Sequence, residues 1–248
     1  MATWKWWSKR RLLGILGALA PGPEGGCCVL CPAGYPLEHL HPPSAQALAS
    51  LGEDASRAQQ WPMGVVCFWA PDRQMWVLPP FPVESATLEE RWDSPTFRAL
   101  YTRPVRFGLL LLRRGGYALG VAEGEALTHH KVGSRYVQGR HRAGGSSARR
   151  FERRRREQVR HLLQEVCTEA TARLVPHLPS LDALFLGGDR LLLTEMFREC
   201  PTLSPLKPLV HPHHLAVAEP RLEVLEVAVQ MAWQSQVALA GPLTERAM

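Results

Sequence analysis

The sequence predicts an α/β fold: a mixed β-sheet, an antiparallel meander followed by αβαβα, with helices packed on it. Three observations predict it. First, the apolar run Val105 to Leu112 ends in Arg113-Arg114-Gly115-Gly116, a turn signature, and Tyr117 to Ala122 answers as a second strand. Second, after Ser146 the apolar residues adopt helical spacing: Val159, Leu162, Leu163, Val166, Ala170 and Leu174 share one face. Third, strand-like and helix-like segments then alternate. Leu181 to Leu186 is a strand, a helix starts near Arg190, His214 to Ala218 is a strand, and Pro220 opens a last helix.

Three regions follow along the chain. Residues 1–26 read as a flexible basic, Trp-rich arm: Trp4, Trp6 and Trp7 interleave with Lys5, Lys9, Arg10 and Arg11. The apolar stretch Leu12 to Ala20 resembles a signal peptide, but it is short, holds two glycines and lacks a clean cleavage site. Residues 27–100 read as a small N-terminal α/β subdomain. It is expected to hold a helix around Ser44 to Leu51 and strands Val65 to Trp69 and Met75 to Leu78. A helix interrupted at Pro95 is expected over Leu88 to Tyr101. Residues 101–240 form the third region. There Ala126 to Lys131 is a third meander strand and Arg135 to Gln138 a fourth extended piece. The loop around Gly144 and Gly145 then opens the long helix, with Ser146 or Ser147 as its cap.

The 248 residues are 46% hydrophobic and 21% charged, which suits a globular chain with a real core. No apolar run is long enough to span a bilayer, so a membrane is not an expected partner. Net charge is +6, unevenly spread. Lys131 to Arg160 holds one lysine and ten arginines against Glu152 and Glu157, a segment charge of +9, which leaves −3 for the remainder. One concentrated cationic element on a near-neutral body is the pattern of a protein that meets a polyanion. Cys28-x-x-Cys31 has metal-ligand spacing, but no second pair follows. Cys67, Cys167 and Cys200 stand alone, and His211, His213 and His214 sit in a proline-interrupted loop. The cysteines therefore read as buried or idle thiols, and no metal or cofactor is expected.

The arginines have a geometry. On an ideal helix, Arg149, Arg153, Arg156 and Arg160 fall within about 60° of one another. Arg150 and Arg154 flank this row, and Arg155 points toward the apolar face. Cations in the first turns of a helix cost roughly 0.3–1 kcal/mol each against its dipole, an arrangement best tolerated where an anion is the working partner. Arginine adds planar, bidentate phosphate contacts. With Lys131, Arg135, Arg140 and Arg142 of the preceding segment, Arg149, Arg150, Arg153, Arg154, Arg156 and Arg160 are the expected RNA-binding set. Packing should begin near Val159, so that the first turns project. Two other features read as structural. Gly187-Gly188-Asp189 is a tight turn whose aspartate caps a helix, and His129 and His130 are strand histidines.

Lys131-Val132-Gly133-Ser134-Arg135-Tyr136-Val137-Gln138-Gly139-Arg140, Gly144-Gly145-Ser146-Ser147 and Arg150-Phe151-Glu152-Arg153-Arg154-Arg155 together resemble the Vms-like release factor family. The match is to its actinobacterial-type bacterial branch of peptidyl-tRNA hydrolases. It extends through Leu186-Gly187-Gly188-Asp189-Arg190 and Ala218-Glu219-Pro220-Arg221, over roughly residues 101–235. The resemblance implies a fold like the middle domain of the eukaryotic class I release factor. It implies a ribosome-associated, cytoplasmic, monomeric quality-control hydrolase of translation, acting on the peptidyl-tRNA of stalled chains at large-subunit RNA. Gly144, Gly145, Ser146 and Ser147 would then form the catalytic loop. Family members carry a glutamine in that loop, where this sequence has Ser146 and Ser147. A hydrolase, a non-catalytic ribosome or tRNA binder, and a general RNA-binding module all stay open.

Overall fold

The computed structural model describes residues 4–19, 22, 24–36, 54–134 and 146–240. The chain divides into two compact units, residues 1–103 with 233–248, and residues 104–232.

The first unit is built on a six-stranded antiparallel sheet. Its strands are β1 (Lys5–Trp7), β2 (Cys27–Cys31), β3 (Val65–Ala70), β4 (Arg73–Leu78), β5 (Thr87–Glu89) and, from the far end of the chain, β10 (Ser235–Ala240). Their spatial order is β1-β10-β4-β3-β2-β5. β3 and β4 are the expected hairpin. Three differences from expectation follow from anchoring. Residues 4–19 are not an arm: β1 pairs with β10, and helix α1 (Lys9–Ala18) starts at a Ser8 cap. Trp7, Leu12 and Leu16 are buried and hold the segment down. The expected helix over Leu88 to Tyr101 is shorter. β5 pairs with β2, and helix α3 (Pro95–Ala99) follows helix α2 (Asp54–Gln60) in chain order. α3 restarts at Pro95 because Ser94 Oγ accepts the Phe97 N–H at 2.9 Å. Finally, β10 lies between β1 and β4, so the last part of the expected 101–240 region belongs to this sheet. The expected helix at Ser44 to Leu51 lies outside the described residues.

The second unit holds a four-stranded mixed sheet of order β8-β7-β6-β9. β6 (Arg106–Arg113), β7 (Gly116–Glu123) and β8 (Ala126–Ser134) form the antiparallel meander. β9 (Ala183–Gly188) runs parallel to β6, from Phe107↔Ala183 to Leu112↔Gly188. A parallel neighbour requires a crossover, and helix α4 (Ser146–Arg173) supplies it. Both sheet faces are covered, which explains why β6 is apolar throughout rather than alternating. Leu110, Leu112, Leu119 and Val121 pack with α4 and with helix α5 (Arg190–Glu199) on one face. Helix α6 (Leu222–Ala232) covers the other, where Leu225 closes over Gly120. The mixed α/β class is as expected, but αβαβα is not. His214 to Ala218 forms a single bridge, Gly187↔Leu215, rather than a strand. Pro212 and Pro220 bracket this segment and have no N–H to extend a ladder. α6 accordingly begins at Leu222, two residues past Pro220.

Cys167 and Cys200 do not stand alone. They form a disulfide joining α4 to the C-terminal cap of α5. Cys27, Cys28, Cys31 and Cys67 are free and buried. Burial pushes the Cys31 thiol up to about 12 and the other three upward as well, which keeps them protonated and unreactive. Among the described residues, no helix is long and apolar enough to cross a membrane.

Burial, and secondarily the neighbouring His214, lowers the His213 pKa from 6.5 to about 4. Below about pH 6.5 the unfolded chain therefore takes up a proton that the folded chain refuses. The resulting stability is complete above that pH and lost as pH falls toward 4. Urea unfolding should show roughly 2–3 kcal/mol less stability near pH 4.5 than near pH 7 from this residue alone. His213→Asn should remove that part of the slope; an unchanged slope would contradict the assignment.

Candidate nucleic-acid interface

Helix α4 is a lever with one half embedded. Leu162, Leu163, Val166, Ala170 and Leu174 are buried, between fully inaccessible and 2% exposed. Val159 is half-buried against the same core. Among the described residues of α4, nothing before Leu162 is buried. The direction of the helix is fixed by two contacts. Near its end, Leu174 lies beside Gly108, close to the start of β6. Further back, Glu165 accepts the Tyr117 hydroxyl proton at 3.0 Å. Tyr117 is one residue from the sheet end, where Gly116 pairs with Ser134. Residues before Glu165 thus extend past that end, and Ser146 lies about 28 Å further along the helix.

This projecting half carries the arginines. Arg150, Arg153, Arg154, Arg156 and Arg160 are exposed, and Arg155 is half-buried on the apolar side, as the helical spacing implies. Arg156 pairs with Glu152 one turn earlier, at 2.6 Å. Both side chains are solvent-exposed, so the pair contributes little to stability. Among the described residues, no ion pair holds Arg150, Arg153, Arg154 or Arg160. The surface is a cationic row of side chains available to phosphates.

The other predicted site residues are placed as follows. Lys131 is not brought to the arginine row. Its Nζ is 3.9 Å from Glu169, about 13 Å along the helix axis from Arg160. Ser146, Ser147 and Arg149 lie in the first turn of α4, and their side chains are outside the described set. Arg135, Arg140, Arg142, Gly144 and Gly145 lie outside the described residues. β8 ends at Ser134 and α4 starts at Ser146, so these two described residues bound that stretch.

The Gly187-Gly188-Asp189 turn is structural. Asp189 Oδ1 accepts the N–H groups of Leu191 and Leu192 at 3.0 and 3.2 Å, which fills the start of α5 with a carboxylate. Gly188 has φ +98°, and a side chain there would collide with the Leu112 carbonyl. His129 and His130 are exposed on β8, where the His129 ring lies tilted against that of His177, 4.9 Å between centres. Tyr117 and Glu165 were not singled out from the sequence. A tyrosine in an apolar strand and a glutamate on a long helix carry no local signal that they meet.

The sequence model of the Actinobacteria/chloroflexi VLRF1 release factor family matches residues 105–238, just over half of the chain. The chain belongs to this release factor family. It is similar to peptide chain release factor subunit 1 of Archaeoglobus fulgidus, with 26% identity over 109 residues. That match spans 44% of this chain and 27% of the relative, so the chain covers about a quarter of that protein's length. Among solved structures, an archaeal translation termination factor, aRF1, aligns at 20% identity and TM-score 0.41, over 91% of this chain and 70% of the other. The Vms1 mitochondrial localization core aligns at 12% identity and TM-score 0.41, over 83% and 89%.

Leu162→Ala should cost ~2–5 kcal/mol of stability, because it empties a packed site. Arg153→Ala should cost under about 0.5 kcal/mol. Chemical denaturation of both variants checks this. Comparable losses would place the arginine inside the protein and end the projecting-helix description.

Proposed function

We propose that this chain acts on the peptidyl-tRNA of stalled nascent chains at the large ribosomal subunit, working in the cytoplasm as a monomer. The observation that carries the reading is the exposed arginine row on the half of α4 that extends past the sheet. Membership of a release factor family supports it. In this reading Arg150, Arg153, Arg154 and Arg160, with Arg149 and Arg156, lie on RNA phosphates, and Arg135, Arg140 and Arg142 extend the contact. The loop Gly144-Gly145-Ser146-Ser147 enters the reaction centre. There a water attacks the carbonyl carbon of the ester that joins the peptide to the tRNA; the acyl C–O bond breaks, the tRNA 3′ oxygen leaves with a proton from the water, and the peptide acid is released. Charge builds on the carbonyl oxygen, and a backbone N–H of the loop meets it as a pre-positioned donor. That donor belongs to the main chain, so a serine in place of the family's glutamine retains it. Glycines let the backbone approach closely.

A second reading rests on the same serines. Without the glutamine side chain the protein is a ribosome or tRNA binder that occupies the site and does not hydrolyse.

Purified protein mixed with large subunits carrying peptidyl-tRNA decides between the two. Free peptide with intact tRNA means ester hydrolysis, and a shortened tRNA means 3′-end cleavage. Neither product, with retained co-sedimentation, selects the binder. Where turnover occurs, Gly144→Ala or Gly145→Ala should abolish it and leave ribosome binding intact. Ser146→Ala and Ser147→Ala should be mild, and loss of activity in either would make a hydroxyl the reacting group.

RNA affinity should fall steeply with salt. Contact with about six phosphates gives a log–log slope near −4 to −5. Replacing Arg150, Arg153 and Arg154 with alanine should flatten it by about two units. An unchanged slope would move the RNA contact elsewhere.

A further inference from the structure

Tyr117 touches both β8 and the arginine-bearing helix α4. It is fully buried, one residue inside the end of the β7–β8 pair. Its ring lies so close over Gly133 of β8 that a methyl group added there would overlap it. Its hydroxyl donates to Glu165 Oε1 of α4 at 3.0 Å. One turn on, Glu169 faces Lys131 of β8 at 3.9 Å and takes Arg173 Nε at 2.7 Å. Glu165 and Glu169 are four apart, so they lie on one helix face. A short polar seam thus runs beside the apolar stripe of α4.

The stripe and the seam do different work. Apolar contacts hold the helix on the sheet, and their driving force is non-directional. A hydrogen bond weakens steeply once bent, so it fixes an angle. We propose that Tyr117 and Glu165 are positioning residues that set the direction in which the arginine half of α4 leaves the sheet, an inference that rests on the RNA-binding reading above. Arg150 is fifteen residues before Glu165, about 22 Å along the axis. A tilt of about 10° at the seam would move Arg150 by about 4 Å, which exceeds the range of any hydrogen bond to a phosphate. Burial, reinforced by the Glu165 carboxylate, pushes the Tyr117 pKa up, so the hydroxyl keeps its proton and stays a donor. Gly133 completes the device, because any side chain there would displace the ring.

The test compares a structured with an unstructured RNA partner. Large subunits carrying peptidyl-tRNA require the arginines at set positions, and a single-stranded homopolymer RNA adapts to any helix angle. Tyr117→Phe keeps the ring and removes the donor. Tyr117→Phe with Glu165→Leu also removes the carboxylate left without its donor, which restores thermal stability if packing alone matters. Both variants should bind the subunit complex about tenfold more weakly and bind the homopolymer as wild type does. Glu165→Gln, whose amide oxygen still accepts the bond, should behave as wild type on both. Wild-type affinity of the double variant for the subunit complex would overturn the proposal. So would equal weakening on both RNAs, which would mark general damage. Failure of the wild-type protein to bind either RNA would instead refute the RNA-binding reading itself.

Discussion

Four apolar residues on one face of α4, Leu162, Leu163, Val166 and Ala170, with Leu174 just past its end, pack against Leu110, Leu112 and Leu119, and the rest of the second unit depends on that contact. Burying a leucine or valine side chain stabilises by about 1.5–3 kcal/mol. The arginines at the other end act against the helix, at roughly 0.3–1 kcal/mol each in its first turns. The embedded half outweighs the cationic half. An isolated segment the length of the cationic half is marginal as a helix in water. Continuous with an anchored helix, it extends from a nucleus already formed.

The sheet topology decides at which end of the sheet this helix starts. β9 lies parallel to β6, so the chain must return to the opposite end of the sheet between β8 and β9, and α4 makes that return. The turns that begin it therefore stand at the end where β8 finishes. Charge follows the same division. Residues 131–160 sum to +9 and the remainder of the chain to −3. An exposed cationic helix of this kind suits surroundings of RNA phosphates, as the proposed function requires.

Much of this was legible in the sequence because it is local. The hairpins 65–78 and 106–123, the stripe of α4, the half-buried Arg155 and the Asp189 cap all follow from period, turn residues and side-chain reach within a few positions. What escaped was non-local. β10 pairs with β1 and β4 from more than 150 residues away, and no pattern in Ser235 to Ala240 names its neighbours. Cys167 and Cys200 look solitary until α4 and α5 are packed side by side. Lys131 has the charge of the RNA-binding set but the position of a strand residue beneath the helix, where Glu169 takes it. His214 to Ala218 has the apolar alternation of a strand, but flanking prolines stop a ladder from forming. Tyr117 and Glu165 are 48 positions apart, and only the fold brings them together.

The claim that unites these features is that the projecting half of α4 is the part of the molecule that meets RNA. Its most direct test is an electron cryomicroscopy reconstruction of the wild-type protein on large subunits holding an uncleaved peptidyl-tRNA. The account predicts that residues 149–160 lie along RNA phosphates, with residues 144–147 beside the ester bond at the tRNA 3′ end. A complex in which that half of the helix faces solvent, with the protein held by another surface, would contradict it.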